Sequence, residues 1–279
     1  MAAWPEVPDS GDDGAATTTP ALDVIRPRSA RVQPPAATII FDGDDTLWVT
    51  QWLYDQAEVE TRLIVEAAGL DGDRWLQLCR ERDIANIAKF GFNSGRFPTS
   101  VVGAYTQLCE ESAVPVQIGT LHQLMRAASS MFQRRAPLVA GAAEVLRALR
   151  PDHQLVLLTK GDPVVQRKRL RDSGLAAYFD AVVIVPEKSE AIFRAVLAEV
   201  GGVAARSWSV GNSLPSDVAP AIRIGMRGVW IEAHVWDYEK RDPGSAAAAA
   251  KQLARLRDLP TFIRGLNAPP TAERGEISG

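Results

Sequence analysis

Three aspartates stand within four positions of one another near the start of the chain. They follow a short apolar run in the segment TIIFDGDDTLW (38–48), as Asp42, Asp44 and Asp45. Carboxylates this close repel one another and are costly to take out of water unless protons or a cation compensate their charge. Their position, directly after a segment suited to burial, indicates a site that binds a cation or uses the carboxylates chemically.

Polar residues also follow three later apolar runs. Thr159 ends the run in VLLTKGD, and Lys188 follows the run in VIVPEKS. The segment SVGNSLPSD supplies Asn212 and Asp217. In an open parallel sheet, ligands bind beyond the carboxyl ends of the strands, so four strands are expected to deliver these groups to one edge. Lys188 supplies one positive charge, and oxygen ligands without histidine favour Mg²⁺ over zinc or copper.

The elements that must position these residues alternate in type along the second half of the chain. Predicted strands cover 37–41, 153–159, 179–185, 206–212 and 227–232. Predicted helical segments cover 162–174, 188–201 and 215–225. In the first of these helices Asp162 is expected to cap the start, Pro163 fits the first position and Gly174 fits the end. This alternation predicts an α/β fold with a Rossmann-like parallel sheet covered on both faces.

A helical block interrupts this pattern after the first strand. Apolar residues recur every three or four positions in four successive segments, which are 52–69, 73–90, 98–112 and 117–135. Such spacing is typical of amphipathic helices. The chain is therefore predicted to contain a sheet core made of 36–50 and 137–265, with an inserted α-helical domain over 51–136.

The two ends of the chain are expected to be loosely structured. Residues 1–35 are rich in Ala, Thr, Pro, Asp and Gly without apolar periodicity, which predicts a disordered tail. Residues 266–279 are expected to form a second flexible tail. Between the core and this tail, the alanine-rich segment 244–259 favours a late surface helix.

Composition limits the class of function. The chain has 279 residues, of which 46% are hydrophobic and 23% charged, with a formal net charge of −3. This balance gives no general attraction to nucleic acid or to acidic lipid. No apolar run approaches the roughly 18 residues needed to span a bilayer. We therefore expect a cytoplasmic protein without a nucleic-acid or membrane partner, with Cys79 and Cys109 reduced.

Four of these segments together resemble the ordered motifs of the haloacid dehalogenase superfamily of hydrolases. They are DGDDT (42–46), LLTKGD with Thr159, PEKS with Lys188, and GNSLPSD with Asp217. A DxDxT match alone is weak, but four motifs in this order at predicted strand ends are specific. The resemblance covers roughly residues 37–235. The inserted helical domain is similar to the C1-type cap of that family.

The resemblance implies a Mg²⁺-dependent phosphatase that hydrolyses a small phosphate monoester through an aspartyl-phosphate intermediate. In this interpretation Asp42 is the nucleophile. Asp44 protonates the leaving alcohol and then activates the attacking water. Thr159 binds a phosphoryl oxygen, and Lys188 balances charge between the phosphate and Asp42. The expected partner is a small phosphorylated metabolite, and the pattern indicates no particular oligomeric state.

The implied Mg²⁺ site contains one departure from the family pattern. Its expected ligands are Asp42, the backbone carbonyl of Asp44, Asn212 and Asp217. The last motif of the family usually begins Gly-Asp, whereas here Gly211 precedes Asn212. An amide oxygen can bind Mg²⁺ but brings no charge. We therefore expect weaker metal binding, or a larger contribution from Asp217.

Candidate substrate-binding residues lie in both predicted domains. In the core, Lys160 directly follows the second motif. In the helical domain, Lys89 and Arg96 belong to a segment rich in Gly and aromatic residues (89–100). These two residues could meet an anionic substrate, or the segment could be a solvated turn. His234, after the last predicted strand, is a further candidate for lining the cleft.

Several alternatives stay open at this point. The dehalogenase branch does not keep an acid two positions after its nucleophile, so Asp44 favours phosphate ester hydrolysis. A phosphomutase would use the same Asp42 intermediate. A non-catalytic binding protein on this fold is the third alternative, for which Asn212 is the supporting feature. Asp45 is interpreted as a local structural residue, and Asp162 as a helix cap rather than a catalyst.

Overall fold

The computed structural model describes residues 22–27, 34–233 and 248–267. Within these ranges, seven strands form one sheet: β1 (Val24–Ile25), β2 (Ala37–Phe41), β3 (His153–Lys160), β4 (Ala181–Val185), β5 (Ser207–Gly211), β6 (Arg227–Ile231) and β7 (Lys251–Leu253). Across the sheet the order is β1-β4-β3-β2-β5-β6-β7. Strands β2 to β7 pair in parallel, and β1 pairs antiparallel with β4. The predicted α/β fold with a parallel sheet is therefore confirmed.

Ten helices accompany this sheet in the described part of the chain. They are α1 (Gln51–Ala67), α2 (Gly72–Ala85), α3 (Ile87–Phe90), α4 (Arg96–Glu111), α5 (Ile118–Ser130), α6 (Ala142–Leu149), α7 (Pro163–Ser173), α8 (Glu190–Val200), α9 (Ala219–Arg223) and α10 (Leu259–Asn267). A π-helical turn, Leu214–Val218, leads directly into α9. Among the described residues, no helix has the length and apolar character required to cross a membrane.

The central strand β2 is buried on both faces, which explains its continuous apolar run. Successive side chains of a strand point to opposite faces. Ile39 and Phe41 belong to the hydrophobic cluster on one face, together with Leu157. Ile40 belongs to the cluster on the other face, together with Val156. This two-sided burial fixes β2 at the middle of the sheet and sets the position of the aspartates that follow it.

Helices α1 to α5 form a helical block between β2 and β3, as the periodicity predicts. Its interior contains large buried side chains from each of the four longer helices, namely Leu53, Trp75, Tyr105 and Leu124. These residues belong to the same cluster as one face of the sheet. Two chain segments run side by side where the block joins the sheet: the Val49 backbone N–H donates to the Pro137 carbonyl (2.7 Å).

Helix α7 begins and ends as the sequence predicts. The Asp162 side chain accepts hydrogen bonds from the backbone N–H groups of Val164 and Val165. Pro163 occupies the first helical position, and Gly174 ends the helix in the left-handed conformation at φ +74°. Because its start is fixed beside the end of β3, α7 presents its first turns to the same sheet edge as Thr159.

Two predictions about the chain ends are wrong in part. Val24–Ile25, within the predicted tail 1–35, form β1 against the outer edge of β4. Lys251–Leu253, within the predicted helix 244–259, form β7 against β6. In both places pairing with an exposed strand edge outweighs local composition, and strands of two or three residues carry no detectable periodicity. The remaining parts of these tails (1–21, 28–33 and 268–279), residues 244–247 and His234 lie outside the described residues.

Candidate active site

The polar residues predicted at the strand ends line one cleft between the sheet edge and the helical block. Six of them share this cleft: Asp42, Asp44, Thr159, Lys188, Asn212 and Asp217. Asp42 continues directly from β2, where its backbone N–H donates to the Val210 carbonyl of β5 (2.9 Å). The carboxyl ends of neighbouring parallel strands therefore meet here, as expected for a ligand site in an open α/β sheet.

Lys188 lies at the centre of the acidic part of the cleft. Its Nζ donates to Asp42 Oδ1 (2.6 Å) and to Asp217 Oδ1 (2.7 Å), and all three side chains are buried. Burial lowers the pKa of Lys188, but the carboxylates of Asp217 and Asp42 outweigh this and hold the pKa above its ordinary value. The lysine is therefore charged. We call Asp42, Lys188 and Asp217 the acidic edge.

The acidic edge carries more negative charge than one lysine balances. Burial and the neighbouring Asp217 carboxylate raise the pKa of Asp42 to about 7, although Lys188 acts in the opposite direction. Asp217 also accepts at Oδ2 from the backbone N–H of Ser213 (2.9 Å), so both of its oxygens are occupied. Asp42 uses only Oδ1 for hydrogen bonds to the described residues, which leaves Oδ2 available to a ligand.

Asp44 is held by three donors. Trp48 Nε1 donates to Oδ1 (2.6 Å), while Gln166 Nε2 (2.8 Å) and Arg169 Nη1 (2.7 Å) donate to Oδ2. Motif reasoning did not identify Gln166 or Arg169. Both lie on α7, three positions apart and therefore on the same side of the helix. That spacing after the predicted Asp162 cap is the signal that could have identified them.

Thr159 presents a buried hydroxyl to the cleft with no hydrogen-bond partner among the described residues. An unsatisfied buried polar group costs about 1–3 kcal/mol, so this hydroxyl is suited to a ligand oxygen. Gly43 leaves the space beside it: a Cβ added there would lie 3.2 Å from Thr159 Oγ1 and 2.5 Å from Trp48 Cζ2. Any residue larger than glycine would therefore displace Trp48, which in turn holds Asp44.

Asn212 is positioned from two sides. Thr46 Oγ1 donates to its side-chain oxygen (3.2 Å), and Trp230 Nε1 donates to its backbone carbonyl (2.8 Å). The amide stands where the sequence predicts a metal ligand. Among the described residues, no three or more His, Cys, Asp or Glu side chains form a group that could hold a metal.

Asp45 and Asp162 have structural roles, as predicted. Asp45 adopts a left-handed conformation (φ +58°) and accepts from the backbone N–H groups of Thr50 (2.8 Å) and Gln51 (3.1 Å) at the start of α1. Asp162 caps α7 and also accepts from Ser94 Oγ (2.7 Å) in the loop between α3 and α4. The second contact ties the helical block to the sheet core.

The three candidate substrate ligands differ in position. Lys160 lines the cleft, with Nζ 4.4 Å from the centre of the Phe92 ring. Arg96 also lines the cleft, and its Nη1 is paired with the Asp83 carboxylate. Lys89 is not brought to the cleft. It lies exposed in the single turn of α3, with Nζ 5.2 Å from the Phe90 ring.

Comparison with known proteins agrees with the motif assignment. A model of the haloacid dehalogenase-like hydrolase family matches residues 36–225. A pyrimidine 5′-nucleotidase of Escherichia coli is 32% identical over 100 residues, which are 34% of this chain and 44% of that protein. A phosphoserine phosphatase of Thermus thermophilus is 34% identical over 106 residues, 36% of this chain and 43% of that protein. The chain thus spans less than half the length of these curated relatives.

A solved structure extends the similarity over almost the whole fold. A haloacid dehalogenase-like family hydrolase from Xanthomonas campestris is 26% identical, with a TM-score of 0.69. The alignment covers 85% of this chain and 94% of that structure. The family match includes β2, the inserted helical block and all four motif segments. This chain therefore belongs to the haloacid dehalogenase-like hydrolase family.

Proposed function

We propose that this hydrolase is a phosphatase that cleaves a small phosphate monoester through an aspartyl-phosphate on Asp42. The observation that carries the proposal is the position of Asp42, with one oxygen paired to charged Lys188 and the other free of hydrogen bonds to the described residues. Asp44 and the unpartnered Thr159 hydroxyl line the same cleft. The phosphatase and nucleotidase names of the curated relatives also support it.

In the first step, Asp42 Oδ2 attacks phosphorus and the bond from phosphorus to the ester oxygen breaks. Asp44 gives a proton to the departing alcohol. The Thr159 hydroxyl donates to a phosphoryl oxygen, and Lys188 stabilises the negative charge between Asp42 and the phosphoryl group. Because phosphoryl transfer depends mainly on positioning and charge stabilisation, these groups supply most of what the chemistry requires.

In the second step, water attacks the phosphorus of the aspartyl-phosphate, and the bond between phosphorus and Asp42 breaks. Asp44 takes the proton of the attacking water, which returns both aspartates to their starting states. Trp48 and Arg169 keep the Asp44 carboxylate in place for both proton transfers. The products are inorganic phosphate and the alcohol.

We include Mg²⁺ as the cofactor of the proposed reaction. The ion would be held by Asp42, the Asp44 backbone carbonyl and Asn212. Asp217 would also contribute, although its Oδ1 accepts a hydrogen bond from Lys188. The donors are all oxygen, which suits Mg²⁺. Burial, followed by the Asp217 carboxylate, raises the pKa of Asp42 to about 7 despite Lys188, and a cation bound here would favour the charged carboxylate. When bound, Mg²⁺ neutralises charge on the transferring phosphoryl group.

The experiment is phosphate release from a panel of phosphate monoesters, with Mg²⁺ and with chelator. We expect release that requires Mg²⁺ and falls at least about 10³-fold in Asp42→Asn, as when an essential nucleophile is removed. Asp55→Asn removes the same charge from an exposed position of α1 and is the matched control. Absence of release from every ester by the wild-type protein would contradict the proposal. Transfer of phosphate between sugar positions without net release would favour the phosphomutase alternative.

A further inference from the structure

Besides the acidic edge, the cleft lining contains two buried arginines, Arg96 at the start of α4 and Arg169 on α7. We call them the arginine pair. Their side chains are 5% and 8% exposed, and both line the cleft. Burial raises the pKa of the nearby Tyr54 hydroxyl, whereas Arg96 and Arg169 both act to lower it. Tyr54 lines the same cleft, so the tyrosine and both arginines share one pocket.

Arg96 has a structural partner that accounts for only part of its hydrogen-bonding capacity. Its Nη1 donates to the Asp83 carboxylate and to the Asp83 carbonyl (3.0 Å), which joins α4 to α2. Its Nε is buried and has no partner among the described residues. A structural ion pair explains the Asp83 contact, but it does not explain a buried charged donor left without an acceptor.

Arg169 also forms fewer hydrogen bonds to the described residues than its guanidinium group allows. Its hydrogen-bonding partner among the described residues is Asp44, which accepts from Nη1 (2.7 Å). A guanidinium group carries five N–H donors in a planar fork. The other donors of Arg169 are available to a ligand in the cleft. The arginine pair therefore offers unsatisfied N–H groups from two directions.

The remaining shape of the cleft limits what can bind there. Its cavity volume is about 80 Å³, well below the roughly 300–1,000 Å³ of pockets for drug-sized ligands. Thr159 Oγ1 and Gln166 Oε1 are two more buried polar atoms in this cleft without partners among the described residues. The unpartnered atoms thus extend from the phosphoryl position to Arg96. A ligand that accepts from the two donors, Thr159 Oγ1 and Arg96 Nε, is compact and anionic at both ends, whereas Gln166 Oε1 is an acceptor and requires a donor.

We propose that the arginine pair binds a carboxylate of the substrate, so that the substrate class is a compact phosphate monoester bearing a carboxylate. This rests on the proposed phosphatase function, which places the phosphoryl group beside Asp42 and Thr159. A planar guanidinium fork matches the two oxygens of a carboxylate. A carboxylate is also smaller than a second phosphoryl group, in keeping with the small cavity volume.

The test is binding of two phosphonates that cannot be hydrolysed, measured by calorimetry on the full chain in Mg²⁺ buffer. Phosphonoacetate carries a carboxylate, and ethylphosphonate carries a methyl group in its place. We expect the wild-type protein to bind phosphonoacetate at least about tenfold more tightly, which corresponds to one well-formed charged contact. In Arg96→Gln this preference is expected to disappear. Equal affinities in the wild type, or no measurable binding of phosphonoacetate, would overturn the proposal.

Two further variants separate carboxylate binding from folding. Asp83→Asn combined with Arg96→Gln removes the carboxylate that Arg96→Gln leaves unpaired, and it is expected to show the same loss of preference. Arg82→Gln is the matched control, because Arg82 pairs with Gln107 away from the cleft lining. It is expected to keep the preference. A preference that survives the double variant would overturn the assignment. Because binding needs no turnover, this result is independent of phosphate release, which alone decides the phosphatase proposal.

Discussion

The two sides of the cleft differ in how far internal hydrogen bonds organise their side chains. On the acidic edge, Lys188 contacts both carboxylates at 2.6 and 2.7 Å, and Asp217 uses both of its oxygens. In the arginine pair, by contrast, Arg96 retains a buried donor without a partner. The Lys188 contacts organise the acidic edge before any ligand arrives and leave Asp42 Oδ2 open, whereas the unpartnered Arg96 Nε offers a donor to a ligand. The acidic edge therefore suits the proposed phosphoryl transfer, which does not depend on the rest of the substrate. The arginine pair suits recognition of a particular substrate.

The supporting elements differ in the same way. The acidic edge stands on the ends of parallel strands in the middle of the sheet. Arg96 belongs to the helical block, which joins the sheet through two paired segments, Leu47–Val49 and Pro137–Val139. A substitution in the helical block can therefore change the lining of the cleft without disturbing the strands. This difference explains how one reaction centre can serve hydrolases with different substrates.

The largest effect is expected from breaking the acidic edge. Lys188→Met leaves two buried carboxylates facing each other without their counter-charge. We expect about 3–5 kcal/mol lower stability in urea denaturation, as when one partner of a buried ion pair is removed. Phosphate release should fall at least about 100-fold. Lys168→Met is the control, because Lys168 pairs with Asp172 near the surface. Wild-type stability in Lys188→Met would show that the acidic edge does not need its lysine.

The next largest effect is expected from the close packing of Gly43 against Trp48. In Gly43→Ala the new methyl group would lie 2.5 Å from Trp48 Cζ2, so the buried indole and its bond to Asp44 must shift. We expect about 1–3 kcal/mol lower stability and a loss of about 10- to 100-fold in kcat. Gly119→Ala in α5 is the control, because no atom lies within 4 Å of its added Cβ. Equal behaviour of the two variants would contradict this packing argument.

The acidic edge could be predicted from sequence because its signals are local. An apolar run followed at once by polar residues marks a strand end, and four such transitions identified Asp42, Thr159, Lys188 and Asn212. The same local reasoning predicted the Asp162 cap of α7, which the structure confirms. Each inference depends on neighbours within a few positions, and the parallel sheet then brings the strand ends together.

The other side of the cleft was less predictable because its contacts join distant segments. Arg169 meets Asp44 across 125 positions, which depends on how α7 packs against the first motif loop. Lys89 and Arg96 looked equivalent as basic residues of one loop segment. Their positions in the structure differ, because the Arg96 side chain is buried against Asp83, whereas Lys89 lies on the exposed turn of α3. Edge strands β1 and β7 escaped prediction for the same reason.

A smaller effect is expected from adding charge to the acidic edge. Asn212→Asp adds a carboxylate to the cleft that Asp42 lines, and Thr46 can donate to it as it does to the amide. We expect about tenfold lower Mg²⁺ concentration at half-maximal activity, because a charged ligand replaces a neutral one. Without Mg²⁺, the thermal midpoint should fall because another buried carboxylate lacks a counter-ion. Asn93→Asp on an exposed turn is the control. An unchanged or weaker Mg²⁺ dependence would count against this placement of Asn212.

The smallest effect tests the link between the two sides. Ser94 Oγ donates to Asp162 Oδ2 (2.7 Å), which holds the loop before α4, and hence Arg96, against the end of β3. Ser94→Ala removes this bond but leaves the backbone contact from Ser94 N–H (3.3 Å). We expect stability to fall by about 0.5–1.5 kcal/mol, the usual net contribution of one hydrogen bond, and kcat/KM to fall by about threefold to tenfold because Arg96 is held less firmly.

Ser112→Ala, at the exposed end of α4, is the matched control for Ser94→Ala and should behave as wild type. Ser94 also lines the cleft, so the size of the effect distinguishes two roles. A loss within tenfold on every ester fits a residue that only holds the helical block in place. A much larger loss, confined to esters that carry a carboxylate, would instead place Ser94 in contact with the substrate, and the recognition side of the cleft would then extend from Arg96 to the loop that joins it to the sheet.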